Sequence, residues 1–313
     1  MINAAIFGLG RWGRNLVNAV EHSEVVRFKK AVVTNPSKHL DFAKEKHLEV
    51  TADPNEVLLD PSIEMIVLAT PHLLHLPQIT AAAKAGKAVF CEKPLALNLE
   101  EAQRAVAVCQ EHQVLLGVGH DKRFWPSMQH VQQVVRSGEL GKLSHIEGIF
   151  TNENLKNFQT SWRDLPENVP GGNLTATGIH IVDAFTNLMG PIKSVEGIYR
   201  QMDGGTMDTL ALLVDFESGA TGLLSSPRPS PVFWRVHVFG QQGNIEARGP
   251  LQSIQSMSGK EAVVKEFAPI NALQFQLEAF ARAIENKTDY LISPAEILNT
   301  VAAFEASSKA VDS

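Results

Sequence analysis

Gly8-Leu9-Gly10-Arg11-Trp12-Gly13 has the G-x-G-x-x-G spacing of a loop that cradles a dinucleotide pyrophosphate. In such a loop Gly8 permits a tight turn, Gly10 lets backbone approach the phosphates, and Gly13 lets the following helix pack closely on its strand. The helix N-terminus then offers free N–H groups to the anion. An acidic residue about 20 positions on normally accepts hydrogen bonds from the ribose of NAD. Here the stretch Val32-Val33-Thr34-Asn35-Pro36-Ser37-Lys38 contains no carboxylate. A carboxylate would repel a 2′-phosphate, so its absence at Thr34 and Asn35 favours NADP over NAD, with Arg11 and Lys38 as countercharges. A second chemical signal is Cys91-Glu92-Lys93-Pro94-Leu95, which follows an apolar run. Ligands of open α/β sheets bind beyond the carboxyl ends of strands, which places Lys93 beside the nicotinamide. Pro94 constrains the backbone there, and a cis bond is one way to do so. His72 and His75 do not make a metal site, because no cysteine or carboxylate completes one near them.

Short apolar runs at 3–7, 25–33, 65–70, 88–91 and 114–118 alternate with helical patterns at 12–21, 37–46, 76–84 and 99–111. That alternation predicts βαβ units and a parallel sheet. Gly86 is placed as a helix C-cap, and Asn98 with Glu101 as a capping box. After residue 120 the texture changes. A helix over 127–136 ends at Gly138, and β-like runs follow at 144–151, 194–202, 209–216, 220–225, 233–239 and 262–267. Helical patterns at 272–286 and 294–310 close the chain. The expected fold class is therefore α/β: a Rossmann dinucleotide-binding domain over 1–120, then an α+β domain over 121–313 with a large, mostly antiparallel open sheet. The C-terminal helices are candidates for packing back on the first domain. In the second sheet, a helix over 176–188 is expected to cover one face. The other face is read as carrying Leu210, Leu212 and Val214 in alternation with Ala211, Leu213 and Asp215.

The 313 residues include 28 basic and 34 acidic side chains, a net charge of −6. Such a balance argues against a nucleic-acid or anionic-membrane partner. Two cysteines are too few for a disulfide framework, and no apolar run reaches the roughly 18 residues of a membrane span. With no basic segment ahead of its first apolar run, the N-terminus does not read as a signal peptide, and a cytoplasmic protein is expected.

The chain resembles the Gfo/Idh/MocA family of oxidoreductases along essentially its whole length. The landmarks are Gly8 to Gly13, then Ala69-Thr70-Pro71-His72 with His75, then Glu92-Lys93-Pro94. They continue with Arg123-Phe124, Trp162-Arg163, Gly171-Gly172-Asn173, Gly178-Ile179-His180 with Asp183, and Gln276-Leu277-Glu278-Ala279-Phe280. The resemblance implies that Thr70, Pro71, His72, His75 and Glu92 line the cofactor pocket. It also implies that Lys93 and His180 stand at the reacting carbon of a sugar-, polyol- or inositol-like substrate. The chemistry agrees: alcohol oxidation needs a base for the hydroxyl proton, and an ammonium stabilises developing alkoxide. Candidate substrate residues are Arg123, Trp162, Arg163, Thr177 and Asp183. The family usually has an aspartate four residues before the histidine, where this chain has Ala176. Asp183, one helical turn after His180, either orients the imidazole or pairs with a structural arginine. The resemblance further implies a homodimer or homotetramer built on the open sheet. The function expected is NAD(P)-dependent dehydrogenation; the alternative is a dinucleotide-binding sugar sensor without turnover, which Ala176 favours.

Overall fold

The computed structural model describes residues 1–152, 169–202, 207–228 and 230–312. The chain divides into two compact units. The first comprises Met1–Asp121 with Asn271–Leu298, and the second Lys122–Ile270 with Asn299–Ser313. The stretch 271–298, assigned from sequence to the second domain with packing back on the first left open, thus belongs to the first unit.

The first unit is built on β1 (Ile2–Phe7), β2 (Val26–Val32), β3 (Glu49–Thr51), β4 (Met65–Leu68), β5 (Ala88–Glu92) and β6 (Leu116–Gly119). Its helices are α1 (Arg11–Ala19), α2 (Leu40–Glu45), α3 (Asn55–Leu58), α4 (His75–Lys84) and α5 (Leu99–Glu111). The strands lie in the order β3-β2-β1-β4-β5-β6, every pair parallel. This is the Rossmann order, with crossover helices between the strands. Strands covered on both faces need continuous apolar runs, and β4 is buried at every position. Asn98 caps α5 by accepting from the Glu101 N–H at 2.9 Å. Gly86, at φ +71°, ends α4.

The second unit carries α6 (Pro126–Ser137), β7 (Leu143–Thr151), α7 (Ile179–Met189), β8 (Ile192–Met202), β9 (Met207–Phe216) and β10 (Thr221–Arg228). It continues with β11 (Phe233–Gly240), β12 (Gly243–Arg248), β13 (Gln252–Met257) and β14 (Val263–Glu266). Helix α8 (Ala272–Asn286) belongs to the first unit, and α9 (Pro294–Asp312) is divided between the two. The eight strands run β14-β13-β12-β11-β7-β10-β9-β8, antiparallel except for β10 on β7. Helix α7 lies against β7 so closely that a Cβ on Gly148 would stand 2.3 Å from Ile181 Cγ2. Leu210, Leu212 and Val214 are buried on the helix-covered face. The open face carries Ala211 and Leu213 instead, the reverse of the assignment made from sequence. Both alternating sets on β9 are largely apolar, so alternation alone gives no direction. On that open face Leu213 pairs directly with Leu223, and Ile198 with Ala211.

Candidate active site

In the first unit, the chain leaves β1 at Gly8 with φ +95°, a region open to glycine at little strain. A Cβ on Gly8 would meet the Ala69 carbonyl oxygen at 2.7 Å, and one on Gly13 would sit 2.0 Å from the Gly8 carbonyl oxygen. Gly10 has an ordinary backbone and nothing within 4 Å of where its Cβ would stand. That open space lies at the N-terminus of α1, which has no side-chain cap and no acidic residue in its first turn. The cradle therefore fits a dinucleotide pyrophosphate: two glycines close the loop, the third leaves room, and the helix end presents N–H groups. Leu9 turns its side chain into the core, so only its backbone faces the loop surface.

Beyond β2, Thr34 and Asn35 are exposed, and Asn35 accepts a hydrogen bond from Ser37 Oγ at 2.7 Å. Arg14, which sequence reasoning passed over, stands with this segment. It donates to the Leu9 carbonyl at 3.3 Å, meets His39 Nδ1 at 3.3 Å and stacks over Phe42 at 4.8 Å. Its spacing three residues after Arg11 was the available signal.

The ends of β4 and β5 carry the remaining parts. The Lys93–Pro94 bond is cis, and Lys93 is half-buried. His75 is fully buried, with Nδ1 at 3.0 Å from the Pro94 carbonyl oxygen and 3.2 Å from that of Leu95. Its Nε2 lies 3.1 Å from the Thr70 carbonyl oxygen. His75 thus sits between the Lys93 loop and the end of β4, fully buried. Burial holds the imidazole below the usual histidine range, partly opposed by those three carbonyls. His72 packs edge-on against it at 5.5 Å, and Thr70 donates to Gln78 at 2.6 Å; Pro71 lies between them, half-buried.

Glu92 is buried beside Lys93, whose N–H approaches its Oε2 at 3.4 Å. Its register partner on β6 is Gly119, where a Cβ would stand 2.7 Å from Glu92 Oε1. Burial pushes this carboxyl up to about 7. The Trp12 indole N–H, the Lys93 ammonium and the Lys93 backbone N–H pull it down, while the Asp121 charge pushes it further up. Asp121 and His120 are themselves buried at the end of β6.

In the second unit, a π-helical turn over Leu174–Gly178 leads into α7 and delivers His180, buried with the Phe150 ring at 5.7 Å. π-Helical turns recur at functional sites. This one is anchored underneath. Asn173 Nδ2 donates to the Ser226 carbonyl at 2.6 Å and to Ser226 Oγ at 2.7 Å, and Ser226 Oγ donates to the Phe150 carbonyl at 2.7 Å. Thr177 Oγ1 hydrogen-bonds Asn173 Oδ1 and lies 3.0 Å from Ser226 Oγ. The Thr177 hydroxyl is therefore engaged in this anchor. Ala176 is half-buried in the same turn.

Asp183 pairs with an arginine, the second of the two roles open to it. Arg123 Nη2 donates to its Oδ1 at 2.8 Å, and Nε to Oδ1 and Oδ2 at 3.1 and 3.0 Å. Arg123 also donates to Asn187 at 3.3 Å, so both expected substrate residues stand in one buried ion pair. Trp162 and Arg163 lie outside the described residues. Among the described residues, no group of three or more His, Cys, Asp or Glu could hold a metal ion, and no helix is long and apolar enough to cross a membrane.

Comparison with known proteins follows the two units. Residues 2–120 match the model of an oxidoreductase family with an NAD-binding Rossmann fold, and residues 128–246 match the GFO/IDH/MocA C-terminal domain. A scyllo-inositol 2-dehydrogenase (NAD(+)) of Bacillus subtilis is 32% identical over 260 residues, covering 78% of this chain and 73% of that protein. A crystal structure of a putative NADPH-dependent oxidoreductase from Desulfitobacterium hafniense superposes with a TM-score of 0.89 at 25% identity, covering 99% of this chain and 95% of that one. Levoglucosan dehydrogenase in complex with NADH and levoglucosan shares the fold, with a TM-score of 0.88 at 19% identity over 99% of this chain and 97% of that one.

Proposed function

Because the chain belongs to the GFO/IDH/MocA oxidoreductase family, with its NAD-binding Rossmann domain, we propose that it oxidises or reduces a CH–OH group of a sugar-, polyol- or inositol-like compound. The observation that carries the reading is the cradle Gly8–Gly13 in one unit with Lys93 at a strand end of the same sheet. A bound nicotinamide dinucleotide supplies the hydride acceptor or donor. The residues of this chain do the rest. Gly10 and the first turn of α1 hold the pyrophosphate. His180 takes the substrate hydroxyl proton during oxidation and returns it during reduction, a task suited to a group that titrates near neutral pH. The Lys93 ammonium is assigned the role of stabilising the alkoxide that develops as hydride leaves. His75 and the cis bond at Pro94 fix the loop from which Lys93 acts.

Substituting Lys93→Met keeps the aliphatic stem and removes the charge. Turnover is expected to fall by about 10²–10³, equivalent to roughly 3–4 kcal/mol, with dinucleotide affinity nearly unchanged. His180→Asn gives a comparable loss with a flattened pH profile. Near-native turnover in Lys93→Met overturns the assignment. The cofactor is NADP or NAD, and the segment around Thr34 and Asn35, with Arg11, Arg14 and Lys38 nearby, favours NADP. Thr34→Asp is expected to shift preference towards NAD, and strong NAD selectivity in the unmodified protein refutes that preference. Ala176 favours a second reading, a dinucleotide-binding sensor that does not turn over. A panel of polyols and aldoses assayed with both cofactors separates the two.

A further inference from the structure

The turn that delivers His180 rests on one cross-strand row of the second sheet. Tyr199 on β8 pairs with Leu210 on β9, Leu210 pairs with Ser226 on β10, and Ser226 Oγ donates to the Phe150 carbonyl on β7. Each member meets a different part of the segment from Gly172 to His180. A Cβ on Gly172 would stand 2.5 Å from the Tyr199 hydroxyl oxygen, and one on Gly178 would stand 3.2 Å from Leu210 Cδ2. Ser226 holds Asn173 and Thr177, and the Phe150 ring meets the His180 ring at 69°. Tyr199 thus supports the entry to the π-helical turn, and Phe150 its exit. We propose that Tyr199 is a positioning residue for His180: its hydroxyl sets where the Gly172 backbone rests, and so the attitude of the imidazole.

The phenol is itself held in place. Its hydroxyl donates to Asp208 Oδ2 at 3.1 Å, and Asp208 is 1% exposed. Arg228 grips the same carboxylate from β10, Nε donating to Oδ1 at 2.6 Å and Nη2 to Oδ2. Such a two-pronged pair fixes the plane of a carboxylate as well as its position, which leaves the phenol oxygen one place to sit. Gly172 has φ +53°, open to glycine at little strain, so bare backbone lies on that oxygen with no side chain between. Asn173 and Thr177, between Gly172 and His180, both hydrogen-bond the single Ser226 hydroxyl. With Ser226 as pivot, a shift at Gly172 tilts the other end of the turn. This role presupposes His180 as the base proposed above, for which placement matters: a misplacement of about 1 Å can cost about 10²-fold in rate.

Tyr199→Phe removes the phenol oxygen and leaves Asp208 paired with Arg228, so the fold should hold. The full chain is made with ¹³C-labelled histidine, and the His180 imidazole resonance is assigned by its loss in His180→Asn. The Phe150 ring, 5.7 Å away, makes that resonance sensitive to the attitude of His180, and no substrate is needed to read it. Turnover is measured beside it with the polyol and aldose panel and both cofactors. Tyr199→Phe should move the resonance and lower kcat by about tenfold, with KM and cofactor affinity within about twofold of the unmodified protein. Arg228→Lys keeps a countercharge on Asp208 but not the fork, and should move the same resonance by less, which keeps the test sound if Tyr199→Phe folds poorly. An unmoved resonance in folded Tyr199→Phe overturns the proposal. So does a loss of kcat that accompanies a lowered urea midpoint with the resonance in place, the mark of a merely structural role. Native turnover in His180→Asn overturns instead the reading of His180 as the base.

Discussion

Arg123 and Asp183 allow a quantitative test of how the His180 helix is held. Their side chains are 4% and 2% exposed, and three hydrogen bonds of 2.8–3.1 Å join them, with Thr300 Oγ1 a further 3.4 Å from Asp183 Oδ1. Removing one member of such a pair leaves a buried charge without compensation, which costs about 3–5 kcal/mol. Replacing both members by apolar residues of similar volume is often nearly neutral, because the desolvation of both charges disappears. Asp183→Leu and Arg123→Met are therefore each expected to destabilise the second unit by about 3–5 kcal/mol. The double variant Arg123→Met/Asp183→Leu should recover most of that loss, with a coupling of about 2 kcal/mol or more. Urea unfolding followed by tryptophan fluorescence is suited to this, because Trp125 and Trp234 pack edge to face at 5.1 Å within the same unit. At a slope of about 2–3 kcal/mol per molar urea, each single variant lowers the midpoint by roughly 1–2 M. Single costs below about 1 kcal/mol, or costs that simply add in the double variant, refute the reasoning.

Three further outcomes are expected. Gly10→Ala should fold normally yet lose dinucleotide affinity, since its Cβ enters only open space; Gly13→Ala should lose both fold and binding, since its Cβ meets backbone at 2.0 Å. Fluorescence titration beside circular dichroism separates these two. Cys91 and Cys109 are buried, and burial pushes the Cys109 thiol up to about 12 and Cys91 upward as well. Neither should react with a thiol reagent at mildly alkaline pH until the protein is unfolded, and a fast-labelling native thiol contradicts that burial. The open sheet face presents Ile198, Leu213 and Leu223, 58%, 60% and 40% exposed. An apolar patch of this kind is characteristic of an interface, so the protein should sediment as an oligomer at micromolar concentration and Leu213→Lys/Leu223→Lys as a smaller species; a monomeric unmodified protein refutes it.

Much of the first unit was legible in the sequence because β1, β4 and β5 are largely apolar runs between helical patterns. The exceptions are instructive. β3 is three residues, Glu49–Thr51, too short to show a period and paired only with β2. β12 opens on Gly243-Asn244 and β13 is rich in Gln and Ser, residues that read as turn or loop; pairing of β12 with β11, and of β13 with β12, makes them strands. Tertiary context overrides propensity there. At the site, the glycine loop and Lys93 are local signals. His75 shows its bracing role only when Thr70 and Pro94 come together, and Arg123 meets Asp183 across 60 residues of sequence. The π-helical turn before His180 carries a pattern indistinguishable from an ordinary helix start, because its sixth-residue hydrogen bonding leaves no mark on side-chain type.

The return of α8 to the first unit bears on how the chain is made. Phe280 and Tyr290 pack against Phe90 at 5.5 and 6.2 Å, and both close over Gly117, where a Cβ would meet the Phe280 ring at 2.7 Å. A ribosome completes the six parallel strands long before it reaches these aromatics. At about 5–20 residues per second, the nascent Rossmann sheet waits roughly 10–30 s with one side of β5 bare. The first unit to be synthesised is thus not the first able to finish its core. The second unit, although interrupted only near its end, is almost wholly synthesised before the first is sealed. A fragment cut at residue 120 would keep the phosphate loop and expose Phe90, so its solubility would depend on supplying residues 271–298 in trans.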